Sequence, residues 1–426
     1  MASIGKTIGK AGGGVTRGLR RIPQYVPPED ERNQPKPTRE ERRQRRAKKF
    51  SLFSLGTGLD MPLFIFIMVL LAIGLVMLFS ASYAYSYYNE GGNSYYYIQR
   101  QGVFAIVGVI AMLVISTFDY HRFHNMAFLL YGGAILLLLM VLAFKGTKLA
   151  PMEGDANRWL QLGPLGFQPS EVAKFAVITL CAHYISQHVG EMGTFRHGVA
   201  PFILIIGLPA ALIFLENHLS ATIIVLGLGV ILMFLGGTRF RYFAFGGVLV
   251  VGALLFLVLS SGGYQVDRIA GWLNPFDPPE GVDTWQTRQS LYAIGSGGLL
   301  GVGLGQSRQK YLYLPEPQND FIFAIVCEEL GMVGALVVII LFSLLIWRSM
   351  YVSLHARDKF GMLLGLGITF QIGLQAVLNI CVVTNTLPNT GISLPFFSYG
   401  GTALLMLLGE MGVLLNISRS SNVEKT

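Results

Sequence analysis

Residues 61–82 read MPLFIFIMVLLAIGLVMLFSAS, 22 positions without a charged side chain. A helix needs roughly 20 consecutive apolar residues to cross a hydrocarbon core about 30 Å thick, so this stretch alone is a transmembrane segment. The rest of the chain agrees. Of 426 residues, 52% are hydrophobic and 13% charged, with a mean hydropathy of +0.53, whereas a soluble domain carries about 25% charged residues. Working outward, further apolar runs predict spans at 102–118, 124–144, 172–187, 199–215, 219–235, 243–260, 321–347, 360–383 and 397–417. The expected fold is therefore all-α and polytopic, with about ten transmembrane helices and both termini on one side.

Charge fixes the orientation. Inside loops on this reading hold Arg122, Arg196, Arg239, Arg241, Arg348, Arg357 and Lys359; outside loops hold Arg100, Lys145, Lys148 and Arg158. Basic loop residues favour the cytoplasm, so both termini are expected there. The net charge of +8 belongs to the N-terminal tail. Residues 1–50 carry 14 Lys and Arg against 5 Asp and Glu, and the remainder carries 18 against 19. Residues 1–55 are expected to form a disordered cytoplasmic tail, without a removable signal peptide. Its Arg42–Lys49 run suits anionic membrane lipid, each charge contributing about 1 kcal/mol, and no nucleic-acid role is needed to explain it. Residues 56–418 are read as the transmembrane domain and 419–426 as a cytoplasmic tail. Cys181, Cys327 and Cys381 lie in apolar stretches without metal or disulfide spacing.

One connection is too long to be a simple turn. Residues 261–320 form an outer loop of 60 residues, and ordered loops of that length are usually functional. Within it, 289–295 suggest a short interfacial helix, and Gly301, Gly303 and Gly305 suggest tight turns or close backbone approach to a neighbouring helix; no strand precedes them, which argues against a nucleotide loop. In the first outer loop, Tyr83, Tyr85, Tyr87, Tyr88, Tyr95, Tyr96 and Tyr97 read as an interfacial aromatic anchor.

Charges at membrane depth are costly and are paired or functional. Glu171 and Lys174 stand three apart and share one helical face; they form either a packing ion pair or a substrate contact. Arg158, Trp159, Gln168 and Ser170 crowd the outer mouth of the same helix, a set suited to a pyrophosphate and a sugar. Asp320 sits where the long loop enters the next span. It is either a helix N-cap or a general base whose pKa the lowered dielectric raises. Glu328 and Glu329 are expected to pair with basic groups on other helices, and Glu410 needs a partner that the sequence does not identify. His121 and His124 flank a short inside turn that has no carboxylate helper for a metal.

Four blocks resemble one family. They are ANRWL (156–160) with FQPSEVAK (167–174); GVGLGQSRQK (301–310); YLPE (313–316) with DFIFA (320–324) and EELG (328–331); and PFFSYGG (395–401). Over residues 56–418 the chain resembles the shape, elongation, division and sporulation proteins, whose members include FtsW, RodA and SpoVE, with the 301–310 block closer to the FtsW and SpoVE branch. The resemblance implies a peptidoglycan glycosyltransferase of the bacterial cytoplasmic membrane that polymerises lipid II at the outer face, in septal wall synthesis during division. Asp320 takes the place of the family's catalytic acid. Arg158, Trp159, Gln168, Ser170, Glu171 and Lys174 are expected to bind substrate, as are Gln289, Ser290, Gln309, Lys310, Glu316 and Ser398. A divalent cation, Mg or Mn, is expected with ligands unknown. Expected partners are a class B penicillin-binding protein transpeptidase, other divisome proteins and membrane lipids. Gln318 stands where many relatives have His, and Asn217-His218 departs from the family's Pro-Asp pair. Two alternatives stay open at this point: a lipid II flippase and a non-catalytic scaffold for a transpeptidase.

Overall fold

The computed structural model describes residues 58–151, 157–163, 165–246 and 264–421. The basic tail, most of the span expected at 243–260, and the last five residues lie outside the described residues.

Helices dominate. α1 (Met61–Asn89) begins at Asp60, whose side chain accepts from the Leu63 N–H at 3.0 Å, and Pro62 suits the first turn because no partner for its missing N–H is needed there. α2 (Tyr96–Ile115) and α3 (His121–Ala143) follow, then a short antiparallel hairpin of β1 (Leu160–Leu162) and β2 (Leu165–Phe167). Next come α4 (Pro169–Gln187), the single turn α5 (Phe195–Gly198), α6 (Ala200–Leu215) and α7 (Leu219–Leu235). The long loop contains α8 (Tyr264–Leu273) and α9 (Trp285–Gly297); α9 is the expected interfacial helix, extended in both directions. α10 (Ile322–Leu354), α11 (Lys359–Val383) and α12 (Gly401–Ser420) complete the fold.

Seven of these segments are long and apolar enough to cross a membrane: Met61–Asn89, Tyr96–Ile115, His121–Ala143, Phe195–Leu215, Ile322–Leu354, Lys359–Val383 and Gly401–Ser420. α7 is equally apolar but has 17 residues, and α4 has the length but carries Glu171, Lys174 and His183. Nine of the ten expected spans thus correspond to helices among the described residues. Small residues set the closest helix approaches, as membrane packing favours. A Cβ on Gly412 of α12 would meet the Met112 carbonyl of α2 at 2.6 Å, and one on Gly108 would meet the Leu408 side chain at 2.5 Å.

α10 is not one continuous helix. Gly331 adopts φ 66° and ψ −168°, which interrupts the ladder. The glycine-rich segment after α9 repairs it. Met332 and Val333 N–H groups donate to the Gly298 and Leu299 carbonyls at 2.9 and 3.1 Å, while Val302 and Gly303 N–H groups donate to the Glu328 and Glu329 carbonyls at 2.9 and 3.1 Å. Backbone groups left unpaired in an apolar environment would each cost several kcal/mol. Glycine is required on both sides: a Cβ on Gly301 would lie 2.2 Å from the Glu329 carbonyl oxygen, and one on Gly331 would lie 2.3 Å from the Gly301 nitrogen.

Side chains lock the same junction. Lys310 Nζ contacts Glu329 Oε1 at 3.0 Å, donates to the Gly305 carbonyl at 2.7 Å and meets Ser80 Oγ at 3.2 Å. Ser80 donates to both Glu329 oxygens at 2.7 Å. Glu328 accepts from the Ser307 hydroxyl and from the Arg308 N–H at 2.9 Å. The basic partner expected for these acids on another helix is in fact supplied by the loop.

Gly301→Ala should lower stability by at least about 2 kcal/mol, combining a left-handed φ of 79° with the backbone collision; thermal melting of the purified protein checks this. Lys310→Met strands a buried Glu329 and should cost about 3–5 kcal/mol, and adding Glu329→Gln should recover most of it. Recovery that fails in the double variant would remove the ion pair as the cause.

Candidate active site

A cavity of about 710 Å³ opens at one end of the helix bundle. Its walls come from the C-terminal ends of α1 and α11, the N-terminal ends of α2, α4, α7 and α12, the hairpin, and the segments 316–320 and 391–393. Helix N-termini carry about half a positive charge, so this convergence favours an anionic ligand. Arg100, Arg158 and Lys174 line the cavity together with Glu90, Glu171, Glu316 and Asp320.

Asp320 is held through its backbone. Asn379 of α11 donates to the Asp320 carbonyl at 2.7 Å and to the Ile392 carbonyl at 2.6 Å. Ser398 Oγ donates to the Asn319 carbonyl at 2.7 Å, and the Tyr399 N–H donates to the Gln318 carbonyl at 2.8 Å. Three successive carbonyls are thereby fixed while the Asp320 carboxylate stays half-buried on the cavity wall. Gly391 leaves it room, since a Cβ there would lie 3.0 Å from Asp320 Oδ2. The N-cap position of α10 belongs to Phe321, without a side-chain cap, so the capping role considered for Asp320 is not the one it plays. Burial pushes the Asp320 carboxyl up to about 6, Arg158 opposes this and Glu316 adds to it.

The same cavity carries the cations. Lys174 Nζ lies 2.8 Å from Glu171 Oε2, with the lysine almost fully buried. Arg158 follows Asn157, which is anchored by donation to the Val141 carbonyl at 2.7 Å and from its N–H to the Glu216 carbonyl at 3.2 Å. One Arg158 nitrogen reaches the Asn217 carbonyl at 3.4 Å. His218 lies 3.4 Å from Ser170 Oγ; burial, reinforced by Arg158 and Lys174, pushes its imidazole down to about 3. It is a neutral hydrogen-bonding group there.

Of the residues named from sequence, Arg158, Trp159, Gln168, Glu171, Lys174, Glu316 and Asp320 line the cavity together. Ser170 stands behind His218, and Ser398 stands behind Asn319. Gln289, Ser290, Gln309 and Lys310 are not on its wall. Ser290 donates to the Val383 carbonyl at 2.8 Å, and Lys310 is committed to Glu329. The structure adds Tyr85, Tyr96, Tyr97, Arg100, Gln375 and Tyr399. Three of these tyrosines belong to the set read as an aromatic anchor. That description suits Tyr83, Tyr87, Tyr88 and Tyr95, which are exposed, whereas Tyr97 packs edge-on against Tyr399 at 4.8 Å. Gln375 offered one signal, an amide inside an otherwise apolar span. Glu410 has its partner in Gln371, whose amide donates to both oxygens at 3.2 and 2.9 Å.

Residues 61–423 match the sequence profile of the FtsW/RodA/SpoVE family, described as cell cycle proteins. The chain belongs to this family. It is 40% identical to stage V sporulation protein E of Bacillus subtilis (strain 168), over 77% of this chain and 88% of that one. It is 36% identical to the protein of Geobacter sp. (strain M18) named "Probable peptidoglycan glycosyltransferase FtsW", over 76% and 88%. Among solved structures, a chain of a peptidoglycan synthase complex superposes with a TM-score of 0.70 at 25% identity, covering 85% of this chain and 98% of that one. RodA of Thermus thermophilus superposes with a TM-score of 0.63 at 25% identity, covering 86% and 99%. The family member described here is accordingly a multi-span membrane protein.

The raised Asp320 pKa has a stability consequence. The folded state binds this proton more tightly than the unfolded chain does, so the contribution is present below about pH 4 and is lost as pH rises through about 6. Asp320→Asn removes that loss. Its stability relative to the parent should increase between pH 4 and 6 and level off above 7, as read by melting across pH; a flat difference would contradict the raised pKa.

Proposed function

We propose that this chain is a peptidoglycan glycosyltransferase that polymerises lipid II at the outer face of the cytoplasmic membrane, with Asp320 as its general base. The observation that carries the residue assignment is the cavity itself: one half-buried carboxylate on a fixed backbone shares it with two cations and converging helix N-termini. The family membership and the glycosyltransferase relatives support the reaction class.

Each group has a defined task. The Asp320 carboxylate takes the proton from an acceptor sugar hydroxyl as its oxygen attacks the anomeric carbon of the donor. The bond from that carbon to the diphosphate breaks, and undecaprenyl diphosphate leaves with the electron pair. Direct displacement inverts the anomeric centre and yields a β-linked strand. A pKa near 6 leaves Asp320 largely ionised at pH 7 yet more basic than an ordinary carboxylate. Arg158 and Lys174 neutralise the leaving diphosphate, and Glu171 orients Lys174. Tyr97, Tyr399 and Trp159 offer ring faces and edges to the sugars.

A divalent cation fits this cavity. Glu316 lies close enough to Asp320 to raise its pKa, and its carboxylate together with substrate phosphates suits Mg or Mn, which bind through one or two carboxylates, leaving the Asp320 oxygens for the proton transfer. Such an ion would supply charge neutralisation at the diphosphate. The polymer needs crosslinking, and the similarity to a chain of a peptidoglycan synthase complex supports a transpeptidase partner of the penicillin-binding class. The reading that the enzyme serves the division septum rests on the family's description as cell cycle proteins.

The test is polymerisation of purified lipid II by the protein with its transpeptidase partner. Asp320→Asn keeps the shape and removes the base, and should lower turnover by about 10²- to 10⁴-fold while partner binding and melting persist. Equal polymerisation by both forms would remove Asp320 from the chemistry. Movement of lipid II across vesicles without polymer from either form would replace the enzyme by a transporter.

A further inference from the structure

The end of α4 remote from the cavity carries a second set of coordinating side chains. α4 starts with Pro169 beside the cavity and runs 19 residues to Gln187, a length of about 28 Å at 1.5 Å per residue. Just beyond it, His188, Glu191 and His197 each offer one ligand atom, and these atoms lie within 4.8 Å of one another. His197 Nε2 and Glu191 Oε2 are 3.2 Å apart. That separation is close to the edge of a tetrahedron whose corners lie about 2.0 Å from a central zinc.

The outer nitrogens of both imidazoles are already engaged, and by the same residue. His188 Nδ1 lies 3.0 Å from the Tyr184 carbonyl, and His197 Nδ1 lies 3.2 Å from the Tyr184 hydroxyl. A carbonyl only accepts, so His188 carries its proton on Nδ1 and keeps the Nε2 lone pair for a ligand. A tyrosine hydroxyl both donates and accepts. Without metal, His197 directs Nε2–H at Glu191 while Tyr184 donates to Nδ1; with metal on Nε2, the same Tyr184 oxygen accepts from Nδ1–H. Outer partners of this kind fix the ring orientation of metal-bound histidines. Stacking adds restraint: Tyr184 lies 4.3 Å from His188, and His188 lies 5.1 Å from His197, with interplanar angles of 21° and 23°.

We propose that His188, Glu191 and His197 form a binding site for a zinc-class dication, with Tyr184 as the positioning residue. The site is separate from the cavity and from any magnesium or manganese bound there. Two imidazoles and one carboxylate select zinc over magnesium and calcium, which take oxygen ligands. The Glu191 side chain is 59% exposed, so the fourth position faces water. Bound metal fastens segment 188–197 onto the end of α4, the helix whose other end carries Glu171 and Lys174.

The test uses the full-length protein in detergent, prepared without a polyhistidine tag, with Zn(II) or Mg(II) alone as the probe. About one zinc per chain should remain after dialysis, and zinc should raise the melting temperature in a way that EDTA reverses. His188→Gln and Glu191→Gln should each weaken zinc binding by more than about tenfold, with melting in EDTA unchanged. Tyr184→Phe removes the outer partner of His197 and should weaken binding by about 10-fold. Unchanged zinc content in the His188 and Glu191 variants, absence of stoichiometric zinc in the parent, or an equal thermal shift with magnesium would each overturn the site.

Discussion

A broken helix must have its backbone hydrogen bonds completed, and the interruption of α10 at Gly331 imposes that requirement on the rest of this protein. In water the freed N–H and C=O groups would be solvated, but in an apolar bundle they need protein partners. The segment after α9 supplies them from both sides of the break. This explains why the long loop folds back onto α10 rather than hanging free. The Glu329–Lys310 pair then fixes the register of that docking, and Ser80 links it to α1. The first half of α10 carries Asp320 just before its start, so the break, the loop and the proposed base form one mechanical unit.

The cavity shows how a membrane protein carries charge where charge is expensive. Most of the buried ionic groups have a compensating neighbour or open onto the cavity, whereas Glu216 is buried with neither carboxylate oxygen hydrogen-bonded among the described residues. Lys174 is buried but meets Glu171 at 2.8 Å; Glu410, deeper on α12, accepts two bonds from Gln371. Asp320 lacks a direct ion-pair partner of this kind among the described residues, and its pKa rises to about 6. The same low-polarity surroundings push His218 the other way, because burial penalises a charged imidazole as it penalises a charged carboxylate. Acid and imidazole therefore line one cavity with opposite shifts, each favouring its neutral form, beside Arg158 and the Lys174–Glu171 pair.

Much of this was legible in the chain. Runs of about 20 apolar residues located nine described helices, because a span is a local property of composition and length. The Glu171–Lys174 pair followed from helical spacing, and Asp320 followed from its place between a polar loop and an apolar run. Other residues misled for a physical reason. Lys310 closes a motif block ten residues before Asp320 and Ser290 lies further up the same loop, yet the fold turns Lys310 toward α10 and α1 and Ser290 toward α11. Tyr97 looked like its neighbours in an aromatic cluster, and only the packing of α2 against α12 turned it toward the cavity.

The sequence by itself determined that the chain spans a membrane many times and which acid stands at the helix entrance. Those are consequences of hydropathy, charge placement and spacing, all local along the chain. The tertiary structure decided which polar side chains meet. Whether a lysine faces a substrate or a buried glutamate depends on contacts between Lys310 and Glu329, 19 positions apart, and on Ser80, 230 positions from Lys310. Such pairings arise from the mutual satisfaction of buried polar groups, and no local pattern encodes them.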